Sequence, residues 1–283
     1  MNNYDSIIIG AGPAGISCAI YLKRYGLNPL VIANDNSVLF DAHEIENYYG
    51  INSISGKDLY YNGINQAKSL GIDVINDEAI DITFDMPFIV KTKNQEYSAK
   101  TICLALGSPK NKMNKAKKFE GEGVSYCAIC DGFFYRKKKT GLVGSGDFML
   151  HELEVLKPMI PDLTVFTNGV HVESSLLEGV KVVEDKIVSF DGNEHLESIT
   201  TTNDTYEIYG CFIAEGAQSS FTFAKHLGLG LDGNNIIVDK NLMTNIPGIF
   251  AAGDCIGGLK QIIKAASDGA IAATAINKYL KQA

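Results

Sequence analysis

Twice along this chain a short aliphatic run ends in a glycine-rich turn and resumes as a helix, and no other feature restricts the fold as strongly. The first copy, DSIIIGAGPAG at residues 5 to 15, leads into ISCAIYLKRYG, and a second aliphatic run, PLVIA, follows. Strand, tight turn, helix and strand in that order make a βαβ unit of a parallel sheet. Gly10 and Gly12 permit the turn and a close approach of the backbone to a pyrophosphate, and Gly15 lets the helix lie close against the strand. The phosphates would sit at the helix N-terminus, where free N–H groups point outward. An acid at the end of the second strand would take a ribose hydroxyl. Asn34 stands there, with Asp35 next.

The second copy begins at Thr140. TGLVGSGDFMLHELEVL reads as strand, Gly144-Ser145-Gly146 turn and helix, but its third small position is Met149. A long thioether there either parts helix from strand or fills space that a dinucleotide would occupy. The next strand, LTVFTNGV, ends in Thr167-Asn168-Gly169, which offers neither an acid for an NAD ribose nor an arginine for an NADP phosphate. The nearest acid, Glu173, lies several residues on. The expectation is a nucleotide-type scaffold kept for its shape.

A chain of 283 residues, 46% hydrophobic and 20% charged, buries one large core or two ordinary ones. No apolar run reaches the eighteen or so residues of a membrane span, and MNNYDSIIIG lacks the basic and apolar regions of a secretory signal. A cytoplasmic location is expected. The net charge of −8 argues against general nucleic-acid binding. Its distribution is uneven: from Lys110 to Lys139, nine Lys/Arg face three acids, making this segment +6 and the remainder −14.

That basic segment brackets the stretch VSYCAICDGFF, where Cys127 and Cys130 stand two residues apart and Asp131 follows directly. A metal half-site and a redox dithiol both fit the spacing. Zinc needs about four ligands, usually with a second close pair of Cys or His, and the five histidines show no such pairing. The dithiol is favoured and no metal is expected. Cys18, Cys103, Cys211 and Cys255 stand alone among small or aliphatic residues and read as core. Near the end, IPGIFAAGDCIGGLKQIIKAASDGAIAATAI reads as a strand, an Ala252-Gly253-Asp254 turn and a long helix starting near Lys260 or Gln261. Asp254 is placed to accept from a sugar hydroxyl, and the positive helix N-terminus would favour an anionic reduced flavin.

GAGPAG, IENYYG at 45 to 50, YCAICDGFFY at 126 to 135, the second glycine-rich turn and IPGIFAAGD together resemble the bacterial low-molecular-weight thioredoxin reductases, in order and along essentially the whole chain. The resemblance implies an α/β fold of two Rossmann-like, three-layer ββα dinucleotide-binding domains, the second inserted into the first. Residues 1–119 and 217–283 would form the FAD-binding domain, and residues 120–216 a degenerate NADPH-type domain carrying the redox centre. It assigns Gly10, Gly12, Pro13, Ala14 and Gly15 to the pyrophosphate, Asn47 to the flavin, Gly253 and Asp254 to the ribitol, and Gln261 and Ile262 to the helix start under the flavin ring. Cys130 becomes the thiol nearest the flavin, Cys127 the one that meets the protein disulfide, and Asp131 the acid that moves their proton. Met149 and Thr167-Asn168-Gly169 replace both nucleotide elements of that family, and in this the chain resembles the ferredoxin-dependent flavin thioredoxin reductases. The implied protein is a homodimeric FAD enzyme that takes electrons from ferredoxin and reduces thioredoxin. An NADPH-dependent reductase with an atypical nucleotide site, or a non-enzymatic flavin- or zinc-binding module, are the alternatives.

Overall fold

The computed structural model describes residues 3–34, 37–107, 114–126, 128–215 and 220–282. It divides into two compact units, Met1–Lys110 with Phe223–Ala283, and Asn111–Thr222. The first unit opens with β1 (Asn3–Ile9), α1 (Pro13–Arg24) and β2 (Pro29–Ala33), then α2 (Gly56–Ser69), β3 (Asp73–Asn76), β4 (Ala79–Thr83), β5 (Phe88–Thr92) and β6 (Glu96–Leu104). Their sheet runs β3-β2-β1-β6-β5-β4. β3, β2, β1 and β6 are parallel, and β5 and β4 turn back antiparallel. Alternation along β1 sorts the core into two layers. Ile7 and Ile9 face a cluster with Leu30, Ile32 and Leu104, while Ile8 faces Val31, Cys103 and the apolar sides of α1 and α2.

The second unit carries β7 (Val124–Ser125), α3 (Ala128–Asp131), β8 (Thr140–Val143), α4 (Asp147–Leu156), β9 (Leu163–Phe166) and β10 (Lys181–Val183). A small antiparallel sheet of β11 (Ile187–Asp191), β12 (Ser198–Thr201) and β13 (Thr205–Glu207) precedes β14 (Gly210–Ile213). Its parallel sheet runs β10-β9-β8-β14-β7. The chain then returns to the first unit with α5 (Ser220–His226), the short antiparallel pair β15 (Leu231–Asp232) and β16 (Asn235–Ile236), β17 (Ile249–Ala251), which joins β6 in parallel, and α6 (Ile262–Leu280).

The unit boundaries lie outside the 119 and 217 read from the sequence. Residues 114–119 belong with the second unit because Ala116 and Phe119 are buried there with Val124, Val143 and Phe166. All four lone cysteines are buried, as their apolar neighbours suggest. Burial raises the thiols of Cys211 and Cys255, that of Cys255 to about 12. Among the described residues no helix is long and apolar enough to cross a membrane, and no cluster of His, Cys, Asp and Glu could hold a metal.

Candidate functional site

In the first unit the turn after β1 is as tight as its glycines demand. A Cβ on Gly15 would lie 1.8 Å from the Gly10 carbonyl oxygen, and one on Gly10 would lie 2.2 Å from that of Ala105. Gly12 differs: nothing stands within 4 Å of the place its Cβ would take. It is the N-cap of α1, with no side chain capping the helix and no acid in the first turn. Pro13 at the first helical position has no N–H to leave orphaned. The N-terminus of α1 therefore faces an open cradle, the arrangement that accepts a phosphate.

The C-terminal motif comes to the same place. Gly253, with φ of 85°, would put a Cβ 2.9 Å from the Ala14 side chain, and Asp254 follows it at the end of β17. The Gly253 N–H donates to Asp268 at 3.1 Å, and Lys264 donates to the carbonyls of Gly253 and Gly257 while pairing with Asp268 at 2.8 Å. This ion pair on α6 pins the turn. Gln261 is the N-cap of α6 and Ile262 its first residue. Asn47 donates to the Gln261 side chain at 2.9 Å, joining two of the anticipated flavin contacts. A groove of about 390 Å³ runs from Gly12 and Pro13 past Tyr48 and Ile51 to Ile262. The residues expected at the pyrophosphate and the ribitol thus gather with the start of α6 in one unit. The residues present fit a dinucleotide.

The second unit carries the stretch expected to be redox-active. Cys127 lies outside the described residues, and Cys130 is placed by its backbone in α3. Asp131 closes that helix and accepts the Ser125 hydroxyl at 2.6 Å, so the strand before the pair orients the acid after it. Burial, and then the charge of Asp131, pushes the nearby Tyr135 phenol up. Phe133 and Phe134 follow in a T-shaped pair, 62% and 68% exposed, with the Arg136 guanidinium 4.4 Å from the Phe133 ring. Two exposed aromatic rings thus follow the Cys127–Cys130 stretch directly in the chain.

The second glycine-rich turn departs from the first in one layer of packing. Met149 is fully buried in the apolar core with Leu142, Phe148 and Leu153, and its Cβ lies 2.8 Å from the position of a Gly144 Cβ. At the end of β9, Asn168 has φ of 54° and reaches across the sheet edge, donating to Glu215 at 3.1 Å and accepting the Ile187 N–H at 2.9 Å. His171 sits 2.7 Å from Glu184 and 3.7 Å from Glu173, and its hydrogen bond to Glu184 raises its pKa. Glu215, Glu184 and Glu173 thus engage the side chains after β9, and the Lys186 stem packs against Gly169.

The pyridine nucleotide-disulphide oxidoreductase family matches residues 4–150 and 168–269 of this chain. A thioredoxin reductase of Ureaplasma parvum serovar 3 is 30% identical over 98% of this chain and 97% of its own. The chain belongs to the thioredoxin reductases. Its fold is the mixed α/β, two-domain Rossmann-like fold of that family, and thioredoxin reductases of this family bind FAD. Among solved structures, the atypical thioredoxin reductase TRi of Desulfovibrio vulgaris Hildenborough superposes with a TM-score of 0.86 at 35% identity, covering 99% of this chain and 98% of that one. A ferredoxin-flavin thioredoxin reductase of Clostridium acetobutylicum does so with a TM-score of 0.71 at 30% identity over 99% of both chains.

The sequence does not show the bonds of three polar groups that this thioredoxin reductase places with care: Asp268 beneath Gly253, Asn168 at the end of β9, and Glu152 against α3. A signal existed for two of them. Asp268 falls in the buried stripe Ala265, Gly269, Ala272 and Ala273 of α6, and Glu152 in the stripe Met149, Leu153 and Leu156 of α4. An acid at a core position of an amphipathic helix asks for a partner.

Proposed function

We propose that this thioredoxin reductase reduces thioredoxin through a Cys127–Cys130 dithiol and draws its electrons from reduced ferredoxin rather than from a pyridine nucleotide. The observation that carries the choice of donor is the second nucleotide edge. Met149 is packed into the core, Asn168 is tied across the sheet edge to Glu215, and His171 nearby is engaged with Glu184 and Glu173, so no arginine is offered at the end of β9. FAD, held by Gly10, Gly12, Pro13, Ala14, Gly15, Asn47, Gly253, Asp254, Gln261 and Ile262, supplies a carrier that accepts single electrons and gives up pairs. The energetics allow it: from a ferredoxin near about −400 mV to a thioredoxin-type disulfide near about −270 mV is roughly 6 kcal/mol for two electrons.

The chain's own residues complete the exchange. The Cys127 thiolate attacks one sulfur of the thioredoxin disulfide, giving a mixed disulfide and a thioredoxin thiolate. Cys130 then attacks Cys127, closes the intramolecular disulfide and releases the second thioredoxin sulfur. The two protons of the protein dithiol pass to the two thioredoxin sulfurs, with Asp131, oriented by Ser125, as the acid beside the pair. Exposed Phe133 and Phe134 support the landing of thioredoxin. The protein acts as a homodimer, which sedimentation would test. The basic residues form two exposed groups, Lys115, Lys117 and Lys118, and Arg136, Lys137 and Lys139, fit to meet an acidic donor.

A pyridine nucleotide donor is favoured by the description of the family and is the rival. An anaerobic titration with NADPH, NADH and reduced ferredoxin in turn separates the two. Bleaching of the flavin by ferredoxin alone is the expected result, and rapid bleaching by micromolar NADPH would refute it. Reversing Lys115, Lys117 and Lys118 to Glu, and separately Lys137, Lys138 and Lys139, should slow reduction by ferredoxin at low salt and leave a small artificial reductant unaffected. Equal rates across the series would return both groups to a solvated surface.

A further inference from the structure

The turn that closes β17 is gripped at both ends by one side chain. Gly253 and Gly257, with φ of 85° and 78°, flank the short turn Asp254–Ile256. Within it the Gly253 carbonyl accepts the Ile256 N–H at 3.2 Å, and the Asp254 carbonyl accepts the Gly257 N–H at 3.1 Å. Its middle residue, Cys255, is buried, with its thiol directed at the carbonyls of Ala252 and Leu104. Lys264 reaches back from the first turn of α6. Its Nζ donates to the Gly253 carbonyl at 3.2 Å and to the Gly257 carbonyl at 2.7 Å, and pairs with Asp268 Oδ2 at 2.8 Å. The same Oδ2 accepts the Gly253 N–H at 3.1 Å. A lysine ammonium has three protons to donate, and these three acceptors take them. Both ends of the turn are thereby tied to one atom, and Asp254 is the first residue between them.

We propose that Lys264 is a positioning residue for the cofactor and acts through Asp254: by gripping both ends of the turn it sets the direction from which the Asp254 side chain meets the ribitol of FAD. This rests on the reading above that Asp254 holds the ribitol. Glycines in the left-handed region are the freest pivots a chain has, and here one stands on each side of the group that meets the ligand. Without Lys264 the turn keeps its two backbone bonds but gains the swing of both pivots. A group already held in its bound direction loses less freedom on binding, so affinity rises without any new contact to the ligand. The residue type follows from the same geometry. An arginine carries no more than two N–H groups on any one nitrogen, and a hydroxyl carries one, so neither serves three acceptors from a single atom.

The coupling between Lys264 and Asp254 reads this directly. The flavin-loaded full chain, Asp254→Ala, Lys264→Met and the double variant are dialysed to equilibrium against a series of FAD concentrations, and flavin bound per protein gives each affinity. Asp254→Ala should weaken binding by about tenfold, the loss of one polar contact to the ligand. Lys264→Met alone should weaken it by about fivefold or more, yet by no more than about twofold in the Asp254→Ala background, because a residue that acts through another then has nothing left to position. A lysine that served only the stability of the unit would cost the same factor in both backgrounds, and that result overturns the proposal. Full affinity in Lys264→Met beside a weakened Asp254→Ala overturns the role of Lys264 alone. Unchanged affinity in Asp254→Ala overturns the ribitol reading itself and this inference with it. If Lys264→Met does not fold, Lys264→Gln, too short to reach both carbonyls, takes its place under the same expectations.

Discussion

Replacing Gly12 and Gly15 by alanine should separate binding from folding within one turn. At Gly15 the new Cβ would sit 1.8 Å from the Gly10 carbonyl oxygen. Relief requires a backbone shift of more than about 1 Å, and overpacking of this kind costs on the order of 1–3 kcal/mol or more. Gly12 has room, with nothing within 4 Å, and an ordinary φ of −71°. An alanine N-cap is worse than glycine by about 0.5–1 kcal/mol, and the lower entropy of the unfolded chain returns about 0.4–1 kcal/mol. The net change for the flavin-free protein is within about 0.5 kcal/mol, a shift of roughly 2 °C or less in a unit of this size. The methyl group nevertheless points into the cradle at the N-terminus of α1. The assay is flavin per protein from the visible and ultraviolet bands, alongside thermal melts of flavin-free protein. Gly12→Ala should melt like the parent and lose more than half its flavin, whereas Gly15→Ala should melt at least about 5 °C lower or fail to fold. A Gly12→Ala protein with full flavin, or one destabilised as much as Gly15→Ala, refutes the assignment of this cradle.

Three further outcomes are expected. Cys130→Ser should keep its flavin and lose thioredoxin reduction, which insulin-coupled turnover beside an absorbance spectrum would check; substantial turnover would remove Cys130 from the scheme. Met149→Ala should lower stability by about 2–4 kcal/mol through the cavity left in a closed apolar layer without gaining NADPH binding, as chemical denaturation and nucleotide titration would show. Asp5, partly desolvated yet held by Lys100 at 2.9 Å and by the Asn28 N–H, has its pKa lowered below 3.8. Its contribution is therefore present above 3.8 and lost as pH falls through the folded value, so Asp5→Asn should be less stable at neutral pH and equal to the parent in strong acid.

Much of the first unit was legible because its signals are local. GAGPAG between a strand and a helix fixes turn, cap and packing by sterics, and the small-residue run after IPGIFAAGD forms the helix from Ile262 with Gln261 as its N-cap. Gly253 meeting Ala14 was not legible, since nothing in either segment encodes the other's position. In the second unit the anomaly at Met149 could be read, but its destination could not. A thioether in place of a small residue can open a turn or fill a core, and only the neighbouring Leu142 and Leu153 decide for the core. Asn168 was read as a missing arginine, whereas its two bonds, to Glu215 and to Ile187, depend on strands later in the chain.

Where α6 crosses α1, Gly269 brings the two backbones so close that a Cβ there would lie 2.1 Å from the Ala14 carbonyl oxygen. Helix α1 is thus completed by α6, an element made after the whole of the second unit. Until β17 and α6 emerge, β6 is paired over Ile102–Leu104 with β1 alone and is open on its other side, and the apolar side of α1 has no cover from Ala272 and Ala273. The stretch between, Asn111–Thr222, has its own sheet and core and can settle while its host is still half made. During synthesis the cradle assigned to the flavin is therefore completed only after the stretch Asn111–Thr222 has been made. A chain stalled short of residue 249 would carry a folded redox element with no cofactor to charge it, and an exposed parallel edge that invites aggregation.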